Sequence, residues 1–526
     1  MNKNLYGFAE DEKYNCDICV IGAGAAGIAL AGELSKARLR VCLVESGGFD
    51  FYEETQNLYQ GKNTGLPYYN LDECRLRFFG GTTNHWNGLC GPLQTDDFQS
   101  HSWIRNSGWP INFKMVEKYY NRAQKICELG PMNYSPKDWV TTNPPKFDEE
   151  KMELGMWQIS PPTRFGERYR GDLRNSNNLR IILNANLTQL IPSSNTRKII
   201  SANFQDLSGK KLSVRAGAYV LACGGIENAR MLLLSQKYEA AGIGNSKGLV
   251  GKYFMEHITW DPATVLLFEK KPDWWKQFEE ATNKKFNTDY MLFLKSNIKI
   301  RQKLRILNFC FSFYPHYHSL ATWSAARLAE QINRGSVEGM FEHFTNILGG
   351  IDDIATMVYR RFSNQTDQID SKKVELLKPI IQLEQAPNES SCVKLSRDRD
   401  SMGLNSVSVN WQLSDIDRRT IKTATLLLAE ELGRLDLGRL HLSSWLSENE
   451  SGWPSDIKGG NHHMGTTKMG ATPNSGVVDK NCKVFGVENL FISGSSTFPT
   501  GGYVNPTLTI VALSLRLADH LKNNYK

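Results

Sequence analysis

The apolar positions along the chain predict an alternation of strands, glycine turns and helices. Cys16–Ile21 is a short, mostly apolar run that reads as a strand ending in a glycine cluster, and after it Ile28, Leu30, Ala31 and Leu34 keep a loose helical spacing. Arg40–Glu45 is a second apolar strand that ends in an acid. Leu179–Leu190 and Ser213–Ala222 predict further strands, the latter running into Cys223-Gly224-Gly225 and a helix carrying Ile226, Ala229, Leu232 and Leu233. Strand, glycine turn and helix thus occur twice, which suggests one sheet resumed after a long excursion. Between these, Met115-Val116 and Tyr119-Tyr120 fall one helical turn apart. Pro379–Leu383 and Val407–Trp411 read as strands and Asp415–Glu431 as a helix. Near the end, Leu490–Ser493 is a short strand, and Leu508, Val511, Ala512, Leu515 and Ala518 stripe a final helix, with Asn505 expected as its N-cap and Pro506 at its first turn. Residues 1–15 read as a polar lead-in and 49–79 as irregular. The aromatics of 260–375, among them Trp274, Trp275, Phe309, Phe311, Phe313, Tyr314, Tyr317 and Trp323, read as packed core, with helices around 320–360.

The first unit carries chemistry. Gly22-Ala23-Gly24-Ala25-Ala26-Gly27 between strand and helix is Gly-x-Gly-x-x-Gly: Gly22 permits the tight turn, Gly24 lets a pyrophosphate approach the backbone, and Gly27 lets the helix pack on the strand. The phosphates would then meet the free N–H groups of a helix N-terminus. Glu45 ends the second strand, where a carboxylate can hold both ribose hydroxyls of an adenosine and would repel a 2′-phosphate, so NADP is not expected. The expected fold class is α/β, with a Rossmann-type domain. This unit alone does not decide between FAD and NAD.

Composition narrows the classes. At 526 residues, two to four domains are expected. The net charge of +7 is scattered among 55 acids with no like-charge block, so nucleic-acid binding is not expected. The first residues, Met1 to Phe8, hold no apolar signal-peptide core, and no run is long enough to span a membrane. The ten cysteines are dispersed. Cys16 and Cys19 would face opposite sides of a strand, so a redox or zinc pair is not expected, and a reducing cytoplasmic setting follows.

Two more glycine loops hold the remaining candidates. Phe79-Gly80-Gly81-Thr82-Thr83-Asn84-His85-Trp86-Asn87-Gly88 has no period and reads as an extended loop that something flat or charged approaches. Gly459–Gly470 contains His462 and His463, adjacent rather than one turn apart, so no metal site is expected. Ser495 and Ser496 lie in no Gly-x-Ser-x-Gly elbow, which leaves a hydrolase nucleophile unsupported.

In this company the chain resembles the glucose–methanol–choline (GMC) family of FAD oxidoreductases. Four blocks match in the family's order: the Gly22–Gly27 turn with Glu45, Gly80-Gly81-Thr82, Cys223–Asn228 with its helix, and the tail from His462. His462-x-x-Gly465-Thr466 resembles the loop of the family's catalytic base, and Asn505-Pro506 the position of its partner. Gly80–Trp86 and the spacing of Leu490–Gly494, Pro499-Thr500 and Asn505–Thr509 are similar to the pyranose oxidase branch, in which a histidine before the tryptophan can be bonded to the flavin; His85 takes that place.

The resemblance implies FAD as cofactor, held also by Leu187, Ala222, Ser493, Gly494, Pro506 and Thr507, with covalent attachment through His85 open. It implies a discontinuous FAD-binding domain (14–95, 170–258 and 456–526) interleaved with an α+β substrate domain (96–169 and 259–455), a sheet backed by helices. It implies oxidation of CH–OH in a sugar, glycoside or other polyol-like alcohol, hydride passing to flavin N5, with His462 as base and Asn505 fixing the oxygen. The acceptor (oxygen, quinone or protein) and the oligomeric state are not legible. A flavin lyase of the same fold, or a flavin-binding sensor without turnover, are the other readings.

Overall fold

In the computed structural model, residues 3–4, 12–161, 163–237, 239–268, 273–315, 376–448 and 451–525 are described. Two large sheets organise them. The eight-stranded sheet runs Lys3–Asn4, Leu179–Leu183, Val41–Val44, Glu12–Ile21, Lys211–Leu221, Ile199–Gln205, Asn186–Pro192, with Leu490–Ile492 also on Lys211–Leu221. Its central pairs are parallel: Ile21 is level with Val44 and Leu221, and Leu221 with Ile492. Ile18, Val20, Val41, Leu43, Ala218 and Val220 are buried, as expected of parallel strands covered on both faces. Gly22, Glu45, Ala222 and Ser493 therefore leave the sheet side by side at its carboxyl end, where such sheets place ligands.

The polar lead-in is shorter than expected. Glu12–Asn15 already belong to the central strand, and Lys3–Asn4 add an outer strand parallel to Leu179–Leu183. The run 179–190 is two strands, broken at Asn184-Ala185. The N–H groups of both Asp17 and Ile18 donate to Arg40 O, at 2.8 and 3.3 Å, a bulge that overturns the opposite-face expectation for Cys16 and Cys19. Tyr14, two residues before Cys16, lies under Arg180, the strand neighbour of Cys42, and the Cys16 thiol donates to Arg215 O at 3.9 Å. All ten cysteines are free.

The ten-stranded sheet is built from antiparallel neighbours, with Thr288–Ser296, Phe309–Pro315 and Leu376–Glu384 at its centre. The Asp415–Arg434 helix, capped by a reciprocal Ser414–Asp417 box, packs on Leu376–Glu384 and Gly438–Leu442. Alternation sorts the central strands: Phe309, Phe311, Phe313, Ile381 and Leu383 enter one buried cluster with Trp275, while Cys310, Ser312, Tyr314, Ile380 and Gln382 face a cavity. The expected aromatic core therefore holds for most of these residues, but Tyr314 faces the cavity. Tyr317, Trp323 and the helices expected around 320–360 lie outside the described residues.

The first helix, Ala25–Leu34, separates two uses of glycine. A Cβ on Gly27 would stand 1.8 Å from Gly22 O, whereas one on Gly32 would meet only Leu173 Cδ2, at 3.5 Å. Gly27→Ala should therefore destabilise the protein by at least about 1–3 kcal/mol through overpacking. Gly32→Ala should stabilise it by about 0.5–1 kcal/mol by removing helix-interior chain entropy. Thermal unfolding of both variants checks this; equal shifts would contradict it.

Candidate functional site

A cavity of about 500 Å³ lies between the carboxyl end of the parallel sheet and one face of the antiparallel sheet. At the parallel sheet, Gly22 turns with φ +101°, and a Cβ there would lie 2.6 Å from Ala222 O. Gly24 differs: a Cβ on it would meet nothing within 4 Å, and it lines the cavity with Ala25 and Ala26. The helix it precedes has no side-chain cap, so its first N–H groups are available to an anion. Glu45 also lines the cavity, but three protein donors already use it. Its Oε2 accepts from Ala23 N–H at 2.7 Å, and its Oε1 from Gly47 N–H at 3.1 Å and Ser46 Oγ at 3.0 Å. A carboxylate has about four acceptor positions, so Glu45 retains about one for a ribose rather than two.

Arg75, Arg77 and Tyr59 complete this end, and no spacing in the sequence announces them. Glu227 pairs with Arg75 at 3.1 Å, Arg77 at 3.5 Å and Arg230 at 3.3 Å, and Arg230 also reaches Asp400 at 2.6 Å. The burial of Glu227 is outweighed by the arginines, which hold its carboxyl down to about 2. Arg75 and Arg77 are thereby held at a wall whose charges, with Glu227 and Glu45, balance. Arg77 Nε is buried without a hydrogen bond. A fixed guanidinium with an unpartnered N–H suits an anionic group such as a diphosphate.

The second glycine loop closes on the first. Gly80 N–H donates to Ala23 O at 2.8 Å, and a Cβ on Gly81 would lie 3.1 Å from Gly24 Cα. Gly81–Asn84 is a 3₁₀ turn rather than extended, because Thr83 Oγ1 bonds back to Gly80 O at 2.6 Å. Gly81, Thr82, His85, Leu187, Ala222 and Gly494 line the cavity; Gly80, Gly27 and Ser493 stand behind its wall. Ser493 Oγ lies 2.8 Å from Ser514 Oγ.

At the other end, His462 and Asn505 line the same space. Asn505 is not a helix cap. The cap position is Pro506, the helix is Thr507–Asn524, and no side chain caps it. The Asn505 amide instead reaches outward: Nδ2 donates to Leu89 O at 3.1 Å, and Oδ1 accepts from Gln382 Nε2 at 2.9 Å. One Nδ2 proton is left for a ligand. Pro506 and Thr507 also line the cavity and bring the helix N-terminus to it.

Spacing alone cannot rank the two adjacent histidines, and the structure separates them. His463 is buried, tilted against Phe254 and Tyr68, with Nε2 3.5 Å from Glu256; burial and Arg75 push its pKa down to about 3. His462 turns the other way, its Nδ1 2.9 Å from His257 Nδ1. Burial, then His257 and His463, hold its pKa well below the usual imidazole range, so the ring is neutral. Its backbone N–H donates to Glu256 Oε2 at 2.7 Å, and Tyr68 Oη–H donates to Glu256 Oε1. Glu256, His257 and Gln382 are the residues that sequence reasoning missed. They sit in ordinary-looking strand segments and reach the site only through strand register.

Burial raises Glu256 to about 7 against these donors. Its folded pKa thus exceeds the 4.5 of a free side chain. The stability it contributes by this route is full below that value and is lost as the pH rises through about 7. The gap in melting temperature between the parent and Glu256→Gln should therefore change between about pH 5 and about pH 8, the parent losing ground as pH rises. A gap constant across that range would contradict the burial account.

Comparison with known proteins adds to this geometry. Residues 387–514 match the family model described as GMC oxidoreductase, and residues 17–64 match one described as lycopene cyclase protein. A 2-methyl-1,2-propanediol dehydrogenase of Mycolicibacterium austroafricanum is 25% identical, over 97% of this chain and 95% of the relative. The fructose dehydrogenase large subunit of Gluconobacter japonicus is 23% identical, over 98% and 99%. Among solved structures, pyridoxine 4-oxidase from Mesorbium loti superposes with a TM-score of 0.56 at 14% identity, over 96% of this chain and 99% of that one, a likeness of fold.

Proposed function

We propose that this chain, a GMC-type oxidoreductase, binds FAD in the cavity and oxidises the CH–OH group of a neutral polyol or sugar-like alcohol to a carbonyl. The observation that carries this is the juxtaposition of His462 and the Asn505 amide in one cavity with the nucleotide turn. The residues fit the cofactor: open space over Gly24, an uncapped helix start, and Arg77 Nε unpartnered at the arginine wall suit the diphosphate. Gly22, Gly24, Ala25, Glu45 and Arg77 would hold the nucleotide; Gly81, Thr82, His85 and Gly494 would border the rest. The nucleotide domain of this reading comprises 14–95, 170–258 and 456–526, and the substrate domain 96–169 and 259–455.

When bound, the flavin supplies the two-electron acceptor for the alcohol carbon. The protein's part is proton transfer and orientation. His462 Nε2 has no protein hydrogen bond and, not being shut off from solvent, takes the hydroxyl proton. The free Nδ2 proton of Asn505 holds the developing alkoxide oxygen, with the amide plane fixed by Leu89 O and Gln382. The uncapped N-terminus of Thr507–Asn524 favours negative charge accumulating in the cavity.

Substrate class follows from the opposite wall. Thr259, Ser312, Tyr314, Gln382 and Asn461 line the cavity, and its charged lining residues are Glu45 and the cluster of Arg75, Arg77 and Glu227. Neutral donors and acceptors match a polyhydroxy alcohol better than an amine or a carboxylate. The diol and fructose named for the two relatives agree with that. The acceptor stays open among oxygen, a quinone and a protein. A sensor needs no base beside the ligand, so His462 and Asn505 standing together count against the non-catalytic alternative.

His462→Ala should keep its FAD and lose about 10²–10⁴-fold in the rate of anaerobic flavin reduction by substrate. Asn505→Ala should also slow reduction, and since it caps no helix, its unfolding free energy should fall only by the loss of two hydrogen bonds, about 1–3 kcal/mol. Reduction of His462→Ala at the parent rate would remove His462 as base.

His85 is the proposed point of covalent attachment, since it lines the cavity one residue before Trp86. Acid precipitation of the yellow protein should carry the colour into the pellet. Colour left in the supernatant would return His85 to a packing role.

A further inference from the structure

We infer that Gln382 determines substrate specificity: its amide oxygen is a fixed acceptor at the cavity, so the site selects an alcohol that carries a second hydroxyl next to the one oxidised. This deepens the oxidation reading and rests on it for the place of the first hydroxyl. Two amides, those of Gln382 and Asn505, lie in a row between two backbone carbonyls. Gln382 Nε2 is 2.6 Å from Tyr503 O and 2.9 Å from Asn505 Oδ1, and Asn505 Nδ2 is 3.1 Å from Leu89 O. A carbonyl oxygen only accepts, so the amide atom facing each of them must be the nitrogen. Turning Gln382 over would set its oxygen against both Tyr503 O and Asn505 Oδ1. Turning Asn505 over would set its oxygen against Leu89 O and its nitrogen against Gln382 Nε2. Turning both over would leave an oxygen facing each carbonyl. One arrangement of the pair remains, fixed from its two ends.

In that arrangement both Nε2 protons of Gln382 are spent on the protein, and the residue has nothing left to donate. What it offers a ligand is Oε1. That oxygen has no hydrogen-bond partner among the described residues, and it is not enclosed. Gln382 lines the cavity from the strand Leu376–Glu384, level with Cys310 on the neighbouring strand. The two adjoining amides therefore present opposite characters, a donor proton on Asn505 Nδ2 and an acceptor on Gln382. The reacting hydroxyl gives its proton to His462 and accepts from Asn505, so the group that meets Gln382 must be another one, and it must donate. A hydroxyl on the neighbouring carbon does so. An ether, carbonyl or carboxylate oxygen would set lone pairs against lone pairs and leave Oε1 unmatched. An ammonium group could donate as well, but the carboxylates lining the cavity, Glu45 and Glu227, stand at the nucleotide end and leave its charge without a partner.

The probes are 1,2-propanediol and its two mono-methyl ethers, 1-methoxy-2-propanol and 2-methoxy-1-propanol, mixed anaerobically with the full-length holoprotein. Each ether keeps one hydroxyl of the diol and replaces the other by an oxygen that cannot donate. Binding is read from the perturbed spectrum of the oxidised flavin, and turnover from its bleaching. The parent should favour the diol over either ether by about 10–100-fold, the cost of leaving one polar group unmatched. Gln382→Leu should slow all three probes, because Asn505 loses its partner, and that shared loss cancels in the ratio of diol to ether. The ratio itself should collapse towards one, and Gln382→Met, closer in length, should do the same. A ratio near one in the parent, or the parent's ratio kept in both variants, would overturn the proposal. So would a diol that neither perturbs nor bleaches the flavin. Failure of the oxidation reading is distinguishable: the diol would then perturb the spectrum, with its preference over the ethers present in the parent and lost in the variants, and never bleach the flavin.

Discussion

A buried carboxylate has to be satisfied, and the way Glu256 is satisfied shapes the reacting end of this protein. Its oxygens take Tyr68 Oη–H and the backbone N–H of His462, and its own backbone N–H donates to Gln385 Oε1 at 2.9 Å. The neighbouring His257 ring takes the His462 ring. Backbone bonds between Met255 and Met464, at 2.9 and 3.0 Å, and from Gly460 N–H to His257 O, at 2.9 Å, close the two segments on each other. Glu256-His257 is thus a clamp on the histidine loop. It also accounts for the glycines there. A Cβ on Gly459 would stand 2.8 Å from the Glu256 carboxyl carbon, and one on Gly465 would stand 2.2 Å from Tyr253 O. The loop is glycine-rich because the clamp leaves no room beside it.

The opposite end of the cavity is organised by close approach and by charge. Gly22 and Gly27 are consumed in packing strand, turn and helix together, and only Gly24 opens onto the cavity. Behind it Glu227 holds Arg75, Arg77 and Arg230, and Arg75 and Arg77 also lie over the Tyr59 ring at 3.9 and 4.7 Å. Pairing pre-orients the guanidinium groups, so little side-chain entropy remains to be lost when an anion arrives. One cavity therefore runs from an arginine-lined, helix-terminated end to an end lined by His462 and neutral polar groups, as the proposed dinucleotide cofactor and uncharged alcohol would require.

What was legible in the sequence was local. Gly22–Gly27 and Glu45 announce themselves because a tight turn, a helix start and a strand end impose fixed spacings on neighbouring residues. His462 and Asn505, far apart in sequence, line one cavity. Legibility failed where the structure depends on register between distant segments. Gln382 faces Asn505 because Leu376–Glu384 pairs with Phe309–Pro315, and no pattern within either strand marks it. His257 sits at the end of a four-residue strand, with nothing around it to signal chemistry. Asn505 was misread as a cap because a polar residue before Pro at a helix start fits that rule, and here Leu89 and Gln382 offered its amide better partners. Cys16 and Cys19 were misread because a bulge shifts the strand's alternation and leaves no trace in sequence.

The central claim is that an alcohol carbon delivers its hydrogen to a flavin held in this cavity, while the protein takes the hydroxyl proton. Anaerobic mixing of the yellow holoprotein with a panel of neutral polyols, protiated and deuterated at the carbinol carbon, tests it most directly. The account predicts that at least one polyol bleaches the flavin and that deuteration of the carbinol carbon slows the bleaching. Flavin that no alcohol bleaches, or bleaching indifferent to deuterium at that carbon, would contradict it.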